Sequence, residues 1–205
     1  MPVVRSNPFW MQVQVLSRMR AGGKVSAALV ALGATAEEVS AARDWADEQG
    51  LWTLGHPMST YSRLLGAPQK VQTDPEDADE YHRLEWGYRF PAWPDYLLSV
   101  FGSTDGVAAG LQFVAVEPRR VPLPERRTGA ASNDLPSLAY AAGNLPGWSF
   151  LEQEILQVLP GPTLIESWYP QSDYECHLPR QAGTLPSRWV AGLDFGLFQY
   201  LVPLP

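Results

Sequence analysis

Cys176 and His177 are adjacent, and a thiol beside an imidazole is a pairing that can activate a nucleophile. The surrounding residues, Tyr174 to Leu178, read as a strand, and neighbouring side chains of a strand point to opposite faces. Cys176 and His177 therefore cannot form a dyad. Cys176 shares a face with Tyr174 and Leu178 and reads as a small buried hydrophobe. On the other face Glu175 and His177 make a candidate acid–base pair. With Glu166 and Asp173 they are the groups a small carboxylate-based enzyme would use.

Other chemical patterns fail on spacing. AGGKVS at 21–26 has the glycines and lysine of a phosphate loop, but Arg18 stands where the first glycine belongs, and Val25 stands where Ser or Thr would hold magnesium. Asp194-Phe195-Gly196 spells a kinase metal-binding tripeptide without the H-R-D and glycine-rich loops that must precede it. Neither a G-x-S-x-G elbow, an H-E-x-x-H helix nor a zinc-spaced cysteine pair occurs, and the three histidines, His56, His82 and His177, are far apart. Asp77, Asp79, Glu80 and His82 lack the glycine and closing glutamate of a calcium loop and read as a solvated turn. The sequence thus predicts no metal and no cofactor, names no catalytic residue, and leans away from an enzyme.

The elements that would carry these groups are short. Nineteen prolines and seventeen glycines punctuate 205 residues, which argues against a long bundle or a coiled coil. Near the start, Trp10, Val13 and Leu16 recur at helical spacing, predicting a helix from Phe9 to Ala21 that Gly22-Gly23 stops. A second helix is expected from Lys24 to Leu32, with Gly33 as its stop. Thr35 and Glu38 have capping-box spacing and open a third, which runs through Val39, Ala42 and Trp45 to Gly50.

Helix, glycine turn, capped helix, then GLWTLG is an order that resembles the winged-helix family. In that resemblance Leu51–Leu54 is a strand, Gly55-His56-Pro57 the wing turn, and Ser59–Leu65 the returning strand. It covers about 60 residues and implies DNA binding by the third helix in the major groove. The basic residues available for nucleic-acid contact are Arg18, Arg20, Lys24 and Arg43. Charge works against that use, because Glu37, Glu38, Asp44, Asp47 and Glu48 on the third helix face a single arginine.

Seven of the 23 aromatic residues fall between Tyr81 and Phe101. Trp86, Tyr88 and Phe90 alternate, so 84–90 reads as a strand with one aromatic face. Pro91 and Pro94 force a bend, and Pro94-Asp95 is expected to open a helix through Tyr96, Leu97, Val100 and Phe101 that ends at Gly102. These rings are expected to fill the core, with one sharper alternative: Trp86, Tyr88, Trp93, Asp95 and Tyr96 form a partner-binding surface anchored by Trp93. Beyond them, Val107–Val116 reads as a buried strand. Residues 117–136 read as an arginine-bearing loop and 136–142 as a short helix. Ser149 with Glu152 reads as a second capping box opening a helix to Leu159. Thr163–Tyr169 and Tyr174–Leu178 read as a hairpin turning at 170–173. Trp189–Val202 reads as a last strand or strand pair, bent at Gly192 and Gly196.

The fold class expected is α+β: an N-terminal three-helix, winged-helix-like module, then a loop-rich mixed body with a mainly antiparallel sheet. The division expected is 1–67 helical, 68–80 an acidic linker and 81–205 the main α+β domain. Net charge is −7, split as +2 over residues 1–70 and −9 over residues 71–205. Such a body repels polyanions and attracts a basic protein. A single cysteine excludes an internal disulfide and fits a reducing compartment. No apolar run approaches a membrane span. The reading is therefore a cytoplasmic, non-catalytic binding protein of inhibitor, immunity or adaptor type whose partner is another, basic protein, with no membrane. A DNA-binding regulator with a C-terminal sensing domain is the alternative, and the carboxylate enzyme comes third.

Overall fold

A computed structural model of the chain describes residues 4–51, 56–73, 84–117, 148, 150–177 and 188–204. The protein is α+β: helices come first, and a sheet-rich body with two antiparallel four-stranded sheets follows. The chain separates into two compact units, 1–117 and 118–205. The first four helices and the first sheet belong to the unit 1–117. The loop at 118–136, the short helix at 136–142 and the acidic run at 74–83 lie outside the described residues.

In the first unit, helices α1 (Asn7–Leu16), α2 (Gly22–Ala31), α3 (Ala36–Glu48) and α4 (Met58–Leu65) precede strands β1 (Lys70–Thr73), β2 (Leu84–Arg89), β3 (Tyr96–Gly102) and β4 (Ala108–Ala115). Helix α1 starts where Ser6 accepts a hydrogen bond from the Phe9 amide and Pro8 sits in the first turn. It ends five residues earlier than its periodicity predicts, and Gly22-Gly23, expected as a stop, opens α2 instead. Every residue from Met11 to Leu16 is buried, Gln12 and Gln14 included. Gln12 meets the cost of its burial with two hydrogen bonds, donating to the Pro8 carbonyl at 3.1 Å and accepting from the Ala92 amide at 3.2 Å.

The capping box of α3 forms as its spacing predicts: Thr35 Oγ1 accepts from the Glu38 amide, and Glu38 accepts from the Thr35 amide. Arg5 completes the corner. It donates to both Glu38 oxygens at 2.6 and 3.1 Å and to the Gly33 carbonyl, and its guanidinium lies over the Phe9 ring. Phe9, Val13 and Ala42 form the buried contact between α1 and α3.

Two expectations in this unit are corrected. The return strand of the wing, Ser59–Leu65, is helix α4; Met58, Tyr61 and Leu64 are buried at three-residue spacing, a helical pattern that the winged-helix template hides. The helix expected from Pro94 to Phe101 is strand β3. Both faces of β3 are buried between β2 and β4, and a fully buried strand carries no alternation to distinguish it from a helix. Strand β1, within the segment read as a linker, pairs with β2 from Lys70↔Gly87 to Thr73↔Leu84.

In the second unit, helix α5 (Glu152–Val158) covers a sheet of β5 (Thr163–Trp168), β6 (Gln171–His177), β7 (Arg188–Asp194) and β8 (Leu197–Pro203), all antiparallel neighbours in chain order. Ile155 and Leu159 pack on Cys176, Trp189, Ala191, Leu193, Phe198 and Leu201. The cap of α5 differs from the expected Ser149/Glu152 box. Leu151 is its N-cap, and Glu154 reaches back to accept from the Leu151 amide at 2.7 Å; Ser149 lies outside the described residues. The expected hairpin of β5 and β6 is present, but it turns at Tyr169-Pro170, with a cis peptide bond, so Gln171, Ser172 and Asp173, expected in the turn, begin β6 instead; the last segment is a strand pair that turns at Phe195-Gly196.

Candidate protein-contact surface

The residues of the aromatic stretch come together inside the first unit. Tyr88, Trp93 and Tyr96 are buried, Trp93 with only 2% exposed. Trp93 lies 4.9 Å from the Phe113 ring and 6.1 Å from Phe90, and Tyr96 packs edge-on against Phe113 at 6.2 Å. The Phe90-Pro91-Ala92-Trp93 bend folds the indole back against Phe90 and Phe113, so the prolines flank a buried ring rather than an exposed one. Tyr88, opposite Leu98 in the register, has its phenol pushed up to about 12 by burial. Trp86 is half-buried and Asp95 exposed.

The basic residues named for nucleic-acid contact sit on the helical elements. Arg18 and Arg20, between α1 and α2, are half-buried, whereas Lys24 on α2 and Arg43 on α3 are exposed. Glu37, Asp44, Asp47 and Glu48 are exposed on α3 beside Arg43, so the helix that would enter a groove carries an anionic surface.

Around Cys176 the strand geometry holds. Cys176 is fully buried under α5 while His177 is 65% exposed along its side chain. Burial, with Glu175 beside it, pushes the Cys176 thiol up to about 11, the opposite of an activated nucleophile. Glu175 is held by Arg188, which donates to both carboxylate oxygens at 2.6 and 3.0 Å, with His177 Nε2 at 3.4 Å. That arginine holds the Glu175 carboxyl below its ordinary range, so it is a poor general base near neutrality. On α5, Glu152 is occupied as well, accepting from the Tyr174 hydroxyl at 2.6 Å. Among the described residues no group of three or more His, Cys, Asp or Glu could hold a metal ion.

Asp194-Phe195-Gly196 is a hairpin turn. Phe195 and Gly196 both have positive φ, 54° and 69°, the requirement of the two-residue turn that matches strand twist. Gly196 adopts this without cost; Phe195 does not. The Phe195 ring is buried and meets Tyr169 edge-on at 6.2 Å, and its amide donates to the Pro170 carbonyl at 2.7 Å. Packing of the ring offsets the backbone strain.

Among the described residues of the second unit, one edge of the sheet is left uncovered. All six residues of β5 are exposed, with Leu164 at 50%, Ile165 at 51% and Trp168 at 72%, and Tyr169 beyond the strand at 53%. Strand β5 pairs only with β6 among the described residues. Leu164 stands opposite Tyr174, Glu166 opposite Asp173 and Trp168 opposite Gln171, with a bulge at Ile165. An open strand edge bearing large apolar side chains is a template for another chain. The sequence showed the strand but nothing that marks it as an edge: Thr-Leu-Ile-Glu-Ser-Trp has the β-branched and aromatic content of an interior strand. Comparison with family models, with curated proteins and with solved structures gives no significant match.

Proposed function

We propose that this chain is a non-catalytic protein-binding protein, of inhibitor, immunity or adaptor type, and that it engages its partner through the open edge of the second sheet. The observation that carries the reading is the exposure of Leu164, Ile165, Trp168 and Tyr169 together along Thr163–Tyr169. An aliphatic pair and two rings in one short segment have the composition of an interface centre. Support also comes from the chemistry that is already spoken for: Glu175 is clamped by Arg188 and Cys176 is sealed under α5. A DNA-binding role is less well supported, because α3 presents its carboxylates and α4 stands where the wing would return.

The test is capture. The purified chain, immobilised and exposed to extract of its own cells, retains a defined protein at micromolar concentration, and Trp168→Glu reduces that retention without lowering the melting temperature. Retention of no protein would overturn the reading. A gel shift with duplex DNA at low salt, where electrostatic binding is strongest, gives no complex.

A further inference from the structure

We infer that His56 is an acid-sensitive clasp within the first unit: protonation of its imidazole loosens the start of α4 from the hairpin that joins β3 and β4. This goes beyond the protein-binding reading and stands apart from it.

The segment ahead of α4 is held by its backbone. The His56 carbonyl accepts from the Ala108 amide at 2.7 Å, the Met58 amide donates to the Gly106 carbonyl at 2.8 Å, and Pro57 between them bridges to Val107. Three consecutive residues are thus tied to the turn and the start of β4. Helix α4 follows at once, with Met58, Tyr61 and Leu64 buried. The His56 side chain enters the same junction. Its ring stands edge-on to Tyr61, with centroids 6.1 Å apart, and it fits so closely over Gly50 that a Cβ there would lie 3.3 Å from His56 Cε1. Nε2, on the inner edge of the ring, is buried and has no hydrogen-bond partner.

A neutral imidazole tolerates this position by leaving Nε2 as an unused acceptor. An imidazolium does not, because both ring nitrogens then carry a proton, and a buried N–H of a charged group with nothing to accept it is costly. The neighbours offer no relief. From α4 come Arg63, itself a cation, and Tyr61, whose phenol is kept protonated by burial. The β3–β4 turn carries Asp105, whose carboxylate accepts from the Ser103 hydroxyl and the Val107 amide. The contact beyond the end of α3 is Gly50, which has no side chain, while Asp47 and Glu48 of that helix are exposed. Burial first, and then the Arg63 charge, hold the His56 imidazolium below its ordinary range.

The folded chain therefore favours the neutral ring. The contribution of the clasp is complete above the unfolded value of about 6.5 and is lost as pH falls below it through the folded value. Acid draws the ring out toward water, and the packing on Tyr61 and Gly50 that seats α4 goes with it.

The experiment follows the His56 ring protons and the amide exchange of the full chain by NMR between pH 7.5 and 5. His56 titrates with a midpoint below the ordinary histidine value. Exchange at Met58 and Ala108, corrected for the intrinsic effect of pH, is about threefold or more faster at pH 5.5 than at 7.5, while amides in the middle of β3 keep their rate. His56→Phe, which retains a ring for Tyr61 but has no proton to gain, shows no such acceleration. Where phenylalanine lowers the melting temperature at pH 7.5, His56→Asn, equally unable to titrate in this range, replaces it, and the midpoint of the unaltered chain is read without any variant. A midpoint at or above the ordinary value, exchange at Met58 and Ala108 that ignores acid, acceleration spread equally through β3, or acceleration that persists in the variants would each overturn the inference.

Discussion

Two tryptophans flanked by similar residues meet opposite fates. Trp93 stands in Pro-Ala-Trp-Pro and Trp168 in Ser-Trp-Tyr-Pro; the first is 2% exposed and the second 72%. Ring chemistry and nearby proline are common to both, so neither decides burial. Topology does. Trp93 is in the bend joining β2 to β3, two central strands of a sheet with a helical layer in the same unit, and the bend turns its ring inward onto Phe113. Trp168 ends β5, which among the described residues has a neighbouring strand on one side only. An aromatic cluster in sequence thus marks where a core is dense, whereas a ring stays exposed where strand pairing stops.

The strongest way to break this comparison is to remove each ring. Trp93→Ala should cost about 3–5 kcal/mol, the range for deleting a buried large aromatic, read as a lowered denaturant midpoint. If stability barely moves, Trp93 is not core and the contrast fails. A smaller loss, about 1–3 kcal/mol, is expected for Gly192→Ala, because a Cβ there would come within 2.3 Å of Tyr200 Cζ. That tests whether the second unit, despite its open edge, holds some rings as tightly as the first. An unchanged melting curve would show that Tyr200 swings away freely.

Thiol labelling asks the same of the unit's interior. With Cys176 fully buried and its thiol pushed up to about 11, a disulfide reagent at pH 8 should modify it only after denaturant is added; prompt reaction of the native protein would show that the layer between α5 and the sheet opens readily. Trp168→Ala should then change stability by less than about 0.5 kcal/mol, as exposed positions do, and a larger loss would place that ring in a core. The smallest effect belongs to the Arg5–Glu38 corner. The Arg5 guanidinium, then the Thr35 amide, hold the Glu38 carboxyl below its ordinary range. Its contribution is therefore complete above the unfolded value and is lost as pH falls through the folded one. Glu38→Gln should lower stability by a small, constant amount at neutral and alkaline pH and flatten the acid side of the profile, where that contribution is lost anyway.

How much was legible beforehand follows the same division between local and tertiary signals. The Thr35/Glu38 box, the two C-terminal hairpins and strand β4 are written in short-range chemistry, and the sequence shows them directly. The face assignments of Cys176 and His177 follow from alternation alone. Strand β3 was hidden because burial on both faces erases the period that separates strand from helix. Helix α4 was hidden because a template of another family claimed its residues for a wing. The exposed edge was the least legible part: Leu164, Ile165 and Trp168 have the composition of an interior strand, and only the sheet order reveals that nothing among the described residues lies beyond them.

The hydrogen bond from the Ala92 amide to Gln12 spans 80 positions, and it bears on the order of events during synthesis. Helix α1 is made well before the amide that satisfies its buried glutamine, which lies 80 positions further along. Until then α1 is a ten-residue, mostly apolar helix whose Gln12 lacks its partner, too short to be stable alone. The first unit therefore closes late and as a whole, as chains rich in distant contacts do, and the nascent N-terminal segment is the part of this protein most in need of protection from aggregation while translation is under way.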